Sequence, residues 1–350
     1  MEQKSVLIGM SGGVDSSVAA ALLKEQGYHV IGATMRLWTY SDSCNMKHEG
    51  CCAESAVEDA RRVCDKLGID FYVMNFKDMF KDKVVDYFVD EYIHGRTPNP
   101  CIACNKYLKF DALLKKALAM GIDYVATGHY AKIEKGEDGK YILRASEAVK
   151  KDQSYVLYNF TQEQLAHTLM PLGGYNKDWV RQKAEELGLG VAHKPDSQEI
   201  CFVEDDDYAK FITDYSGYKP KEGDILDVNG NVIGKHRGLI YYTIGQRKGI
   251  GAYGRPMFVM KIDAESNTIT LGEKGIEFSN ELTAYDVNFV SGEFPKENML
   301  ITAKVRYQAP PAAAMLCPQK DGKVKLMFPE PQRAVTPGQA VVFYDGDIVL

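Results

Sequence analysis

An α/β fold, a doubly wound parallel sheet followed by smaller β-rich units, is what this sequence predicts, and three observations carry the prediction. Short apolar runs alternate with helical periodicity up to about residue 200. A glycine-serine loop stands where the first strand meets the first helix. Past the acidic run Glu204 to Asp207 the texture changes to short β-like pieces broken by glycine turns.

The elements follow in order. SVLIGM (5–10) reads as a strand, SGGVDSS (11–17) as a turn and VAAALLKEQGY as a helix. HVIGATM (29–35) is a second strand, AESAVEDARRVCDKLG (53–68) a helix closed by Gly68, and DFYVMNF (70–76) a third strand. KYLKFDALLKKALAMG (106–121) reads as a helix closed by Gly121, DYVATGHYAKI (123–133) as a strand, and KDWVRQKAEEL (177–187) as a helix capped by Gly188. Such alternation implies parallel βαβ units. The later pieces are GDILDVNGNVIG with Asn229-Gly230 as a hairpin turn, GLIYYTIGQ, MFVMKIDAESNTITLG, ITAKVRYQ, KVKLMFPE and AVVFYDGDIVL, the last an apolar strand up to Leu350. The expected division is a first domain over 1–205, a small central β-rich unit over 206–275 and a C-terminal unit over 276–350.

A chain of 350 residues exceeds the usual size of one core, and 45% hydrophobic with 26% charged residues match an ordinary globular protein. No long apolar span and no charged-then-apolar leader is read, so a cytoplasmic protein without membrane contact is expected. Eight cysteines in such a chain point to reduced, metal-binding or catalytic thiols rather than a disulfide framework. A net charge of −6 argues against nucleic-acid binding by the whole surface but leaves room for a local basic face. Residues 231–262 supply one: six Lys or Arg, no Asp or Glu, and Tyr241, Tyr242 and Tyr253 interleaved. That composition suits phosphate contacts and stacking on unpaired bases, or a solvated basic hairpin.

SGGVDSS lets backbone N–H groups converge on an anion at a helix N-terminus, which makes it a phosphate cradle. It lacks both the common P-loop ending and the dinucleotide fingerprint. Ser11, Ser16 and Ser17 can donate to phosphate oxygens, whereas Asp15 repels them unless it holds Mg²⁺ or caps the helix. Met35 and Gly128 fall at the carboxyl edge of the sheet, where open α/β folds bind ligands. His129, beside Gly128, reads as structural when taken alone.

The cysteines sort by setting. Cys64 shares a helix face with Ala56, Ala60 and Leu67 and reads as a small buried hydrophobe. Cys44, Cys51 and Cys52 lie near His48, in a spacing that matches no standard zinc pattern. Cys101 and Cys104 follow a double-proline turn, with a helix expected from near Asn105 whose N-terminal potential favours thiolate. The pair reads as a metal clip, a redox couple or an assisted nucleophile, and a third cysteine, Cys201, ends HKPDSQEIC at the sheet edge.

The mark SGGxDS after a first strand resembles the PP-loop ATP-pyrophosphatase superfamily. GMSGGVDSS, GRTPNPCIACNKYLKF, ATGHYA, KDQSYVLY, KPDSQEICF, TIGQRKGIG, RYQAP and AVTPGQAVVFYDGD together resemble the bacterial tRNA 2-thiouridylases over essentially the whole chain. The resemblance implies a PP-loop (HUP-like) domain, a small central domain and a C-terminal β-barrel. It also implies ATP-dependent replacement of the C2 oxygen of the wobble uridine of tRNA by sulfur.

By matching positions it implies that Gly9, Met10, Ser11, Gly12, Gly13, Val14, Asp15, Ser16, Met35 and Gly128 contact ATP, with Mg²⁺ as companion ion. Cys104 is the implied nucleophile and Cys201 the implied persulfide carrier, charged by a sulfur-donor protein. Asn99, Pro100 and Cys101 are implied at the target base, with His129, Lys151, Asp152, Gln153, Arg306, Tyr307 and Gln339 on the tRNA. Strand alternation puts Arg306 and Tyr307 on opposite faces, so both reach one ligand only if the strand ends or bends there.

One departure stands out: the better-known members carry Asn-Pro-Asp-x-x-Cys-Asn, and here Cys101 takes the aspartate's place. Two routes follow, a persulfide on Cys201 opened by Cys104, or a [4Fe–4S] cluster on Cys101, Cys104 and Cys201. Two rival classes are a PP-loop ligase acting on a small molecule and a non-catalytic RNA-binding or redox-sensing module. The first leaves the cysteines without purpose, and the intact loop speaks against the second.

Overall fold

A computed structural model of the chain describes residues 3–38, 54–196, 200–203, 206–275 and 277–350. The cysteines 44, 51 and 52 and His48 lie outside the described residues.

Strands β1 (Ser5–Gly9), β2 (His29–Arg36), β3 (Asp70–Asn75) and β4 (Tyr124–Ala126) form a parallel sheet. The hairpin β5 (Ala131–Lys135) and β6 (Tyr141–Ala145) leaves it, and β7 (Thr168–Leu169) returns to close it in the order β3-β2-β1-β4-β7. The apolar run of β1 is buried on both faces, as a central parallel strand requires. Leu7 enters one core with Ala33, Met74 and Val125, while Val6 and Ile8 enter the opposite one with Val30 and Ala126. Helices α1 (Val14–Glu25) and α2 (Glu54–Leu67) cover that second face.

The first face is covered by helices that the sequence pattern hides or places too late. A helical run holds α3 (Lys77–Phe80) and α4 (Asp86–Ile93), with Lys81–Val85 between them wound as a π-helix. Its Phe80, Val84, Phe88 and Tyr92 fall four apart on one buried stripe. The cysteine-bearing helix starts at Pro100, not near Asn105: α5 (Pro100–Ala103) passes into a π-wound stretch over Cys104–Ala112 and then α6 (Leu113–Ala119). Asn99 caps it by accepting from the Cys101 N–H at 3.1 Å, and Pro100 fits the first helical position, which needs no N–H. Helices α7 (Gln162–Ala166) and α8 (Lys177–Glu186) follow.

The expected strand over 123–133 is two strands. After Ala126 the backbone leaves the parallel sheet, and β5 and β6 join the C-terminal sheet instead. Past residue 205 a further unexpected helix, α9 (Tyr208–Ser216), is capped by Asp207, whose carboxylate accepts from the Lys210 N–H at 2.9 Å. Its Phe211 packs on Phe88 and Phe202 of the first core.

The middle sheet comprises β8 (Gly223–Leu226), β9 (Val232–His236), β10 (Met257–Asp263) and β11 (Thr268–Glu273), in the order β10-β11-β8-β9. The Asn229-Gly230 turn joins β8 to β9 as expected, with Gly230 at φ +86° and Asp227 accepting from the Asn229 and Asn231 N–H groups. The C-terminal strands are β12 (Phe278–Ala284), β13 (Met299–Lys304), β14 (Ala312–Pro318), β15 (Val324–Arg333), β16 (Val342–Asp345) and β17 (Ile348–Val349). They continue into the first domain's hairpin in the order β12-β15-β14-β13-β16-β17-β6-β5. Ile348 pairs with Arg144, and the Ala145 N–H donates to Asp347 O at 2.7 Å. No helix among the described residues is long and apolar enough to cross a membrane.

Phe88 is fully buried against Tyr92, Phe202 and Phe211. Phe88→Ala is expected to cost about 3–5 kcal/mol, read as a lowered midpoint in urea unfolding.

Candidate active site

The loop between β1 and α1 is shaped by close approach. Gly12 sits at φ +69°, and a Cβ there would lie 2.2 Å from Ala56 O, so only glycine fits. Gly13 leaves the start of α1 without a side-chain cap. The helix's first N–H groups therefore open toward the loop, where the dipole favours an anion. The Ser16 hydroxyl donates to Gly13 O and accepts from the Ser11 N–H, both at 3.2 Å, while the buried Ser17 hydroxyl donates to Gly13 O at 2.8 Å. Of the three serines expected to face phosphate, only Ser11 is exposed. Met10 and Val14 point their side chains into the core, so what they offer a ligand is backbone.

Gly128 follows β4 and presses on the first turn of α1, where an added Cβ would lie 2.7 Å from Ser16 N. Two residues on, the Tyr130 hydroxyl donates to Asp15 Oδ1 at 2.7 Å. Between them, the His129 ring packs on Phe110 of the cysteine-bearing helix, with centroids 5.9 Å apart. One tripeptide thus touches both the loop and that helix. His129 Nδ1 bonds Thr127 Oγ1 at 2.8 Å, and burial first, then the Lys109 ammonium, holds the imidazole well below its ordinary range. It is neutral at physiological pH.

Asp15 neither caps α1 nor stands free for a metal ion. Lys177, at the start of α8, donates to its two oxygens at 2.8 and 2.9 Å and pairs with Asp196 at 2.7 Å. Asp196 also takes Lys151 at 2.7 Å and Arg181 at 3.4 Å. Burial pushes the Asp196 carboxyl up, but Lys151 and Lys177 outweigh it and hold the group below its usual range. Gln153 locks onto Tyr130 through both backbone groups, accepting from its N–H at 3.0 Å and donating to its carbonyl at 2.9 Å. Loop, Tyr130, Gln153, Lys151, Asp196 and Lys177 therefore close a ring. Lys194 adds a bond to Gly12 O at 3.1 Å and an ion pair with Asp59 at 2.9 Å.

The cysteine loop is held from both other units. The Thr97 N–H donates to Pro337 O at 2.9 Å, Gln339 Nε2 donates to Thr97 O at 2.7 Å, and Thr97 meets Thr243 at 3.3 Å. Cys101 is exposed in the first helical turn, whereas Cys104, 8% exposed, lies a turn further in. Cys104 shares its core with Phe202, which brings the peptide of Cys201 to the same region. Strand β13 ends at Lys304, so the chain bends before Arg306 and Tyr307. Tyr307 donates to Asp152 O at 3.2 Å, and its phenol feels burial first, then Asp152 and Cys101. A cleft of about 770 Å³ opens beside Asn99 and Gln339, lined also by Tyr107, Tyr158 and Tyr285.

The family model described as "tRNA methyl transferase HUP domain" matches residues 4–205. Those described as "tRNA methyl transferase PRC-barrel domain" and "Aminomethyltransferase beta-barrel domain" match 209–273 and 279–350. The tRNA-specific 2-thiouridylase MnmA of Acetivibrio thermocellus is 59% identical, over 100% of this chain and 98% of the relative. That of Clostridioides difficile is 58% identical, over 99% and 96%. The chain belongs to the tRNA-specific 2-thiouridylase family. It is thus a sulfurtransferase-family enzyme with a HUP domain, a PRC-barrel-like middle domain and a C-terminal β-barrel domain. Among solved structures, a 4-thiouridine synthetase in complex with RNA and ATP aligns at 18% identity, covering 57% of this chain and 45% of that one, with a TM-score of 0.38.

Several expected residues are engaged within the protein. Lys151, Asp152, Gln153 and Gln339 bond to protein partners, Asp152 by accepting from the Ser146 and Ser154 N–H groups. Among the described residues no three His, Cys, Asp or Glu side chains are gathered to hold a metal ion. The basic window of the middle domain is half compensated: Lys235 pairs with Asp224, Arg255 with Glu273 and Lys261 with Asp263, all three carboxylates lying outside the window. Lys177 lies in none of the quoted motifs, and Tyr130, Lys194 and Asp196 fall within ATGHYA and KPDSQEICF without an expected role, because their partners lie far away in the chain.

Burial pushes the Cys64 thiol up to about 12. Native Cys64 is therefore expected to resist iodoacetamide at pH 8 and to react only on unfolding, as read by peptide mass spectrometry.

Proposed function

We propose that this chain replaces the C2 oxygen of the wobble uridine of tRNA by sulfur at the expense of ATP, in the cytoplasm. The observation that carries the reading is the tripeptide Gly128-His129-Tyr130, which joins an anion loop to the helix bearing Cys101 and Cys104. The high identity to relatives named as tRNA-specific 2-thiouridylases supports the substrate.

Uracil C2 is a poor electrophile and oxide a poor leaving group. ATP bound across Gly9 to Ser16, with its base near Met35, turns the C2 oxygen into an adenylate: O2 bonds to the α-phosphorus and pyrophosphate leaves into the loop. The chain prepares this by neutralising Asp15 with Lys177, so that the phosphates meet the helix N-terminus rather than a bare carboxylate. A Mg²⁺ ion would supply further charge neutralisation on the phosphates. Both oxygens of Asp15 are already engaged, so the residues present do not fit a directly bound ion and no step is routed through one.

The second half uses two thiols. A sulfur-donor protein leaves a persulfide on the exposed Cys201. The Cys104 thiolate attacks the Cys201 sulfur, a disulfide forms, and hydrosulfide leaves with the electron pair of the broken S–S bond. Hydrosulfide adds at C2 and AMP departs, giving 2-thiouridine, and an external thiol reduces the disulfide. In this reading Asn99, Pro100 and Cys101 meet the target base, and His129, Lys151, Asp152, Gln153, Arg306, Tyr307 and Gln339 meet the tRNA.

The test is thiolation of an unmodified tRNA transcript with ATP and a persulfide donor. Cys104→Ser and Cys201→Ser are expected each to lower 2-thiouridine formation at least roughly a hundredfold while tRNA-dependent pyrophosphate release continues. Full activity in either variant would overturn the thiol route, and loss on Cys101→Ala together with protein-bound iron would replace it with a cluster. Lys177→Met is expected to raise KM for ATP about tenfold, the cost of exposing the phosphates to an unpaired Asp15.

A further inference from the structure

Lys109 has no part in the chemistry above, yet it is placed for one. It stands in the π-wound stretch Cys104–Ala112, where the Leu113 N–H reaches back five residues to Leu108 O. In α-winding, residues five apart diverge by about 140° around the axis. The wider i→i+5 winding of a π-helix brings them closer to one face, and such stretches are frequent at functional sites. Lys109 thereby shares the face of Cys104 and Asn105.

Its partner is unusual. The ammonium donates to Asn105 Oδ1 at 2.9 Å, and Asn105, only 3% exposed, is itself fixed by donating to Val156 O at 3.0 Å. Among the described residues Lys109 makes no ion pair with a carboxylate, unlike Lys177, Lys151 and Lys194 nearby. A half-buried cation held by a neutral amide is under-compensated, and its charge is available to an anion that the chain does not supply. The direction of that charge is inward. The next residue, Phe110, packs on His129, and the field of the ammonium is felt at His129, next to the Gly128 that rests on the loop.

We propose that Lys109 is a further catalytic residue, contacting the non-bridging oxygens of the α-phosphate as the uridine oxygen attacks it. The assignment rests on the thiolation reading. In that step O2 bonds to the α-phosphorus, the bond from phosphorus to the bridging oxygen breaks with its electron pair going to pyrophosphate, and the uridine N3 proton passes to solvent. The α-phosphoryl oxygens gain charge as this happens. A fixed ammonium without a competing carboxylate stabilises that charge more than the ground state.

Lys109→Gln, Lys109→Arg and Lys109→Ala are compared with the wild type in tRNA-dependent pyrophosphate release at saturating ATP, with tRNA affinity and melting midpoint measured on the same samples. Lys109→Gln is expected to lower kcat roughly a hundredfold and leave tRNA affinity within about twofold. Lys109→Arg is expected to recover most of the rate, and ethylammonium to restore part of it to Lys109→Ala. An unchanged kcat in Lys109→Gln overturns the assignment. So does a loss of tRNA affinity at intact kcat, which makes Lys109 a contact to the RNA backbone. A lowered midpoint that neither arginine nor ethylammonium remedies makes it a structural residue. A wild type that forms no 2-thiouridine overturns the underlying reading, separately from any of these results.

Discussion

A buried ammonium between two carboxylates is the interaction on which the site depends. Lys177, with its side chain 11% exposed, neutralises Asp15 at the mouth of an anion loop and Asp196 on the segment leading to Cys201. Its position is electrostatically unfavourable on its own, since a cation in the first turn of α8 faces the positive end of that helix. The two carboxylates reverse the balance. Removing Lys177 would leave the partly desolvated Asp15 carboxylate without its cation, which costs more than an exposed ion pair is worth. Because the same ring includes Tyr130, Gln153 and Lys151, the loop's shape is tied to residues from separate parts of the sequence.

The second constraint is the seating of the cysteine helix. Its start is set locally by Asn99 and Pro100, yet its position is set by Thr97, which is clasped by Pro337, Gln339 and Thr243. A Cβ on Gly338 would lie 2.8 Å from Thr97 N, so that clasp is backbone against backbone. Gln339 and Lys151 therefore owe part of their presence to architecture. A residue that orders the loop before substrate arrives reduces the entropy lost on binding, and both uses are compatible.

Much of this is legible in the sequence where the signal is local. The alternation of strands and helices, the glycine ends at 68, 121 and 188, the Asn229-Gly230 turn and the burial of Cys64 all follow from periodicity and backbone preference. The helical run over 77–93 goes unread, because charged residues interrupt the spacing of Phe80, Val84, Phe88 and Tyr92. What cannot be read is long-range. Nothing in DYVATGHYAKI says that its second half deserts the parallel sheet for a C-terminal one, and nothing in a lone Lys177 names Asp15 as its partner. For that reason the sequence leaves Asp15 open between metal ligand and cap, and the structure gives it a third role.

Strand β17 pairs with β6 across most of the sequence, and the hairpin it completes is the direct continuation of the Gly128-His129-Tyr130 segment. Synthesis on the ribosome runs the other way: the loop, the helix and Cys101, Cys104 and Cys201 emerge long before the strand that pairs with β6. A nascent chain thus carries these cysteines before the C-terminal sheet that pairs with the hairpin exists. The pairing of the C-terminal sheet with the first domain's hairpin is therefore among the last contacts that synthesis allows the chain to make.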